Sequence, residues 1–169
     1  ITTGDWSSDV CSSDLNREIA EDPTLLLDSP MPTERFPKTL SEAQVEALLN
    51  APDTDTHQGL RDRCMLEVLY AAGLRVSELV GLKVFAVGLN EGVLRIMGKG
   101  SKERLVPVGE IAAEWLQRYL SESRPALLAG RNCDEVFVTR LGAGMTRQMF
   151  WRIIKQLAME AGIARERIS

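Results

Sequence analysis

The sequence predicts a mainly α domain that carries one small antiparallel β-sheet, an α+β architecture. Three observations predict it. Several stretches place apolar residues at helical spacing behind recognisable caps. Residues 92–97 and 104–108 are apolar or β-branched runs on either side of the turn GKGSK, a hairpin signal. The 169 residues are 44% hydrophobic and 26% charged, enough apolar surface for one ordinary core.

Taken in order, residues 1–15 (ITTGDWSSDVCSSDL) show no helical period, no strand alternation and no cap. From Asp5 to Leu15 they coincide with the translation of a short-read sequencing adapter, and they are expected to be disordered and foreign to the fold. Residues 16–40 contain Pro23, Pro30, Pro32 and Pro37 and read as an extended interdomain linker. Residues 41–169 are expected to form the folded domain. Ser41 and Gln44 form a capping-box pattern ahead of Val45, Leu48 and Leu49. A second helix is predicted from about Leu60 to Ala72, with Leu60, Cys64, Val68 and Tyr70 or Ala71 turned to the core and Gly73 as its stop. A short helix follows near Val76 to Leu82. After the hairpin, Ile111, Trp115, Leu116, Tyr119 and Leu120 define one helix face. EVFVT (135–139) is expected to add a third strand to the hairpin. Thr146 caps a last helix whose stripe is Phe150, Ile153, Ile154, Leu157 and Ala161, ended by Gly162.

Charge and composition exclude several classes. The net charge is −4, but it is unevenly spread: residues 16–60 carry −6, residues 95–107 carry +3 and residues 139–169 carry +4. A polar molecule of this kind can present its basic side to an anion. One histidine, His57, rules out any site needing two, and it sits in a polar loop without a partner. Three scattered cysteines suit neither a disulfide framework nor a metal site, so no metal is expected. No apolar run approaches membrane-spanning length and no secretion signal opens the chain, so a cytoplasmic protein is expected.

Three constellations could carry chemistry. In GLRVSELVGL, Arg75 follows a helix-stopping glycine and Glu78 lies three residues on. The pair reads either as an ordinary intrahelical ion pair or as an arginine held by a carboxylate to grip a phosphate. In GKGSKER, Gly98 and Gly100 free Lys99 to project, with Lys102 and Arg104 beside it. Such lysines blunt many exposed hairpins, or they enter a DNA groove. In MTRQMFW, Thr146 and Arg147 open a helix at a candidate phosphate seat.

Together GLRVSELVGL, then GKGSKERLVPVG with Lys99 24 residues after Arg75, then MTRQMFW resemble the tyrosine site-specific recombinases, the phage integrase family. The likeness is to the branch that resolves bacterial chromosome dimers, and it spans about residues 16 to 169. It implies a catalytic domain that cuts DNA through a 3′-phosphotyrosine intermediate, with no cofactor. It implies Arg75 as the catalytic arginine that neutralises charge on the phosphorus, and Lys99 as the general acid for the leaving 5′-oxygen. Glu78 matches the supporting acid. Lys102, Arg104, Thr146 and Arg147 are expected on DNA phosphates. The partners implied are a double-stranded recombination site and a paralogous subunit in a tetramer. Ala86 stands where the family often has aspartate. The His-x-x-Arg motif and the nucleophilic tyrosine have no counterpart among these residues, so an incomplete, inactive fragment is expected. A non-enzymatic DNA-binding module and a helical interaction domain are the competing readings.

Overall fold

The structure, a computed structural model, describes residues 39–98, 103–164 and 167. The expected foreign stretch 1–15 and nearly all of the expected linker 16–40 lie outside these residues.

Helix α1 (Glu42–Asn50) opens on the expected capping box. The Gln44 N–H donates to Ser41 Oγ at 3.3 Å, and the Ser41 N–H donates to Gln44 Oε1 at 3.1 Å. Helix α2 (His57–Ala72) starts three residues before the expected Leu60, because Thr56 is its cap and accepts from the Gly59 N–H at 3.0 Å. His57 therefore belongs to the helix, and its Nδ1 lies 3.3 Å from Ser123 Oγ. Helix α2 is the central element. Leu60, Cys64, Met65, Leu66 and Val68 are all buried, and even Arg61 and Glu67 are. Tyr70 departs from the reading that placed it in the core: it is 67% exposed. The helix leaves the core in its last turn, so helical spacing alone misplaces it. Gly73 ends the helix in the left-handed region, φ 57°.

A short helix α3 (Val76–Val80) buries Leu79 and Val80, and a 3₁₀ turn (Val84–Ala86) buries Ala86. Three strands follow: β1 (Val87–Gly88), β2 (Val93–Met97) and β3 (Glu103–Pro107). They form one antiparallel sheet in that order, with Leu94 opposite Val106 and Ile96 opposite Arg104. Alternation along β2 sends Leu94 and Ile96 into the core and leaves Arg95 and Met97 outside.

The third strand is thus Val87–Gly88, not residues 135–139. Val136, Phe137 and Val138 are fully buried, yet among the described residues the stretch pairs with other backbone as the isolated bridges Lys83–Glu135 and Val138–Gly144 rather than as a ladder. Side chains satisfy much of the rest. Arg124 donates to the carbonyls of Cys133, Glu135 and Val136, and the buried Arg61 donates to Val138 O at 3.1 Å.

Helix α4 (Glu110–Arg118) runs through a five-residue π segment (Tyr119–Ser123) into α5 (Arg124–Leu128). The wide turn is marked by the Arg124 N–H bonding Tyr119 O, five residues back. Ala112, Leu116, Tyr119, Ser123 and Leu127 face the core, whereas Ile111, expected on that face, is exposed in the first turn. Helix α6 (Arg147–Glu160) is capped by Thr146, which accepts from the Met149 N–H at 3.2 Å. It buries Phe150, Ile154, Leu157 and Ala158, and Gly162 follows at φ 69°. Helix α2 packs on α4, the π segment and α5, while α3 packs on α6. Among the described residues no helix is long and apolar enough to cross a membrane.

Candidate nucleic-acid interface

The site is built where α2 stops. The left-handed Gly73 reverses the chain, Leu74 is buried beside it, and Arg75 then stands as the cap of α3 with extended backbone, φ −70° and ψ 148°. Burial of Leu74 and Leu79 on either side fixes that backbone. The Arg75 side chain itself is 77% exposed.

Glu78 is the hub. It reaches back one turn and accepts the Arg75 backbone N–H at 2.9 Å. It also receives both terminal nitrogens of Arg104, Nη1 on Oε1 at 3.0 Å and Nη2 on Oε2 at 2.9 Å. This is the fork-on-carboxylate geometry that favours arginine. The Arg75 guanidinium makes a single longer contact, Nη1 to Oε1 at 3.3 Å. The Glu78 side chain is only 10% exposed. Hydrogen bonding from Arg104, with the Arg75 N–H, outweighs that burial and holds the carboxyl below its usual range.

Glu78 therefore joins two separated elements, the start of α3 and strand β3. Arg104 sits opposite Ile96, next to the turn end of the hairpin. That turn carries Lys99 and Lys102, which lie outside the described residues. Spacing suggested an Arg75–Glu78 pair, and the pair is there, but the principal partner of Glu78 is Arg104, 26 residues on. Arg104 is expected on a DNA phosphate, and in the fold both its terminal nitrogens donate to Glu78. No local signal gives this pairing, because it depends on the strand register bringing β3 over α3.

Thr146 and Arg147 stand exposed at the start of α6, the helix that packs on α3. A cleft of about 360 Å³ lies beside the hub, lined by Ser77, Glu78, Lys83, Phe85, Arg95 and Met97 among others. A second hollow of about 390 Å³ holds Arg61, Arg140 and Arg152. The sequence reading missed Arg61. It lies in the charged run HQGLRDR, and it is buried, donating to Asp62 and to Val138 O.

Tyr119 is held inside the protein. Its hydroxyl donates to Val136 O at 3.0 Å and accepts from the Val138 N–H at 3.3 Å, and its ring stacks on Phe137. Burial pushes its pKa up, so it is poorly placed to act as a nucleophile. Among the described residues no three His, Cys, Asp or Glu side chains are grouped to hold a metal.

The profile of the Phage integrase family matches residues 38–169. The tyrosine recombinase XerD of Ralstonia nicotianae is 58% identical over 146 residues, 86% of this chain and 47% of the relative. XerD of Pseudomonas aeruginosa is 60% identical over 145 residues, 86% of this chain and 49% of the relative. The chain thus spans about half the length of these relatives. The fold is also that of the XerH site-specific recombinase in a post-cleavage complex with palindromic difH, with a TM-score of 0.68 at 24% identity over 85% of this chain and 42% of that one. With the family profile covering every described element from α1 to α6, the chain belongs to the phage integrase family, the tyrosine recombinases.

Proposed function

We propose that this chain is part of a tyrosine recombinase that cuts and rejoins double-stranded DNA at a specific site, as in the resolution of chromosome dimers. The observation that carries the reading is Arg75: an exposed guanidinium on a rigid, buried-flanked backbone, with a carboxylate fixed behind it. A scissile phosphate gains negative charge as the nucleophile attacks, and a planar two-pronged cation is suited to neutralise it. Lys99 is the general acid for the leaving 5′-oxygen. Glu78 supports Arg75. Lys102 and Arg147 take flanking phosphates, aided by Thr146 and the α6 start. The phosphodiester energy is kept in a 3′-phosphotyrosine bond, so rejoining needs no cofactor. The nucleophile is not Tyr119. The whole protein works in the cytoplasm with a second recombinase subunit in a tetramer on the DNA, and residues 16–40 link the 41–169 catalytic region to another domain.

The test is a titration of the 169-residue chain with a fluorescent duplex. Contacts from Arg75, Lys102 and Arg147 neutralise about three phosphates, so affinity falls about fortyfold between 50 and 200 mM salt. Arg75→Ala should lower the logarithmic salt slope by about one. Binding that ignores salt, or a slope unchanged in Arg75→Ala, would remove the basis for this function. The competing non-enzymatic reading predicts the same binding. It parts from recombination when the whole protein is offered a nicked recombination site: a covalent protein–DNA adduct forms only if the chemistry is retained.

A further inference from the structure

Resting on that reading, we propose that Arg104 is a positioning residue whose task is to occupy Glu78, so that Glu78 cannot capture Arg75 and withdraw it from the phosphate.

The donor and acceptor counts support this. An ionised carboxylate offers about four lone-pair sites. In Glu78 they receive Arg104 Nη1, Arg104 Nη2, the Arg75 backbone N–H and one Arg75 Nη1. The carboxylate is full. Arg75, with five N–H donors, gives it only the contact at 3.3 Å and keeps the rest for a ligand. If the Arg104 fork is removed, two sites open on a little-exposed carboxylate within reach of the Arg75 fork. Arginine and glutamate three residues apart on one helical turn are natural partners. The pair would close into a two-pronged ion pair, and a phosphate would then have to break it before binding. A lysine at 104 cannot substitute, because a single ammonium cannot fill both oxygens in the fork geometry. The same contact ties β3 to the start of α3, so hairpin and arginine are set together.

The experiment is the duplex titration at 100 mM salt with the full 169-residue chain, applied to Arg104→Lys, Glu78→Gln and the double variant. Arg104→Lys keeps the charge and should weaken binding about five- to tenfold. With Glu78→Gln added, the chain should bind at least about threefold better than with Arg104→Lys alone, since an amide keeps the Arg75 N–H acceptor but holds no charge to capture Arg75. It should fall short of the original chain, because the support Glu78 gives Arg75 is reduced. In an Arg75→Ala background the same pair of changes must recover nothing, because recovery has to pass through Arg75. A double variant no better than Arg104→Lys overturns the proposal: Arg104 would then touch DNA directly or merely brace the fold. Recovery that persists without Arg75 also overturns it, by assigning the gain to lost repulsion. If the original chain shows no salt-dependent binding, or Arg75→Ala binds as well as it does, the DNA reading itself has failed, an outcome distinct from both.

Discussion

Replacing Tyr119 with phenylalanine isolates one hydroxyl whose partners are fully accounted for. Removing it takes a donor from Val136 O and an acceptor from the Val138 N–H. The carbonyl is protected, since Arg124 Nε still donates to it at 3.1 Å. The amide is not: Val138 is fully buried, and the tyrosine oxygen is the acceptor its N–H uses. The ring and its stack on Phe137 remain, so no cavity term enters. The loss is therefore that of one stranded buried donor, about 2 kcal/mol. For a folded region of this size it lowers the melting midpoint by about 6–10 °C. Thermal unfolding followed by circular dichroism reads the shift, and duplex affinity at a temperature well below the transition should not change. A midpoint within about 2 °C of the original would refute the accounting of Val138. A loss of duplex binding without a loss of stability would refute the assignment of Tyr119 to structure.

Gly59 lies in the first turn of α2, where a Cβ would stand 1.9 Å from the Asp53 carbonyl oxygen. Gly59→Ala should therefore destabilise by more than about 2 kcal/mol, against the gain of roughly 1 kcal/mol expected at an open helical position, as read by urea unfolding. Glu135 is held at about 2 by the Cys133 thiol and the Lys83 ammonium, against an ordinary 4.5. A depressed acid contributes stability above its ordinary value and loses it as pH falls toward the folded one. Stability should thus drop between pH 4.5 and 2, and Glu135→Gln should remove about 1 kcal/mol of that drop, the figure kept small by solvent screening.

How far the fold could be read from the sequence depends on how local each determinant is. The caps at Ser41 and Thr146 and the stop at Gly73 were legible because each acts within four residues. Tyr70 and Tyr119 were not separable. Both follow helical spacing, and which one stays inside depends on where α2 and α4 leave the core. Residues 135–139 have the composition of a strand, but their backbone is divided between isolated bridges and the side chains of Arg124, Arg61 and Tyr119, whose positions no nearby residue announces. At the candidate site Arg75 and Glu78 were legible from spacing. The bond from Arg104 needs a hairpin in the right register laid over another helix, and that is a tertiary fact.

The π segment sets a constraint of a different kind. An α-helix turns about 100° for each residue added or removed. Leu116, Tyr119, Ser123 and Leu127 keep the three- and four-residue steps of one helix face straight through the wide turn, and all four meet the same core. A deletion larger than the one residue this turn can give up by tightening to α pitch would swing everything beyond it around the axis. Arg124 would then point away from the three carbonyls it clasps. In this stretch the chain can accept many changes of letter but almost none of count.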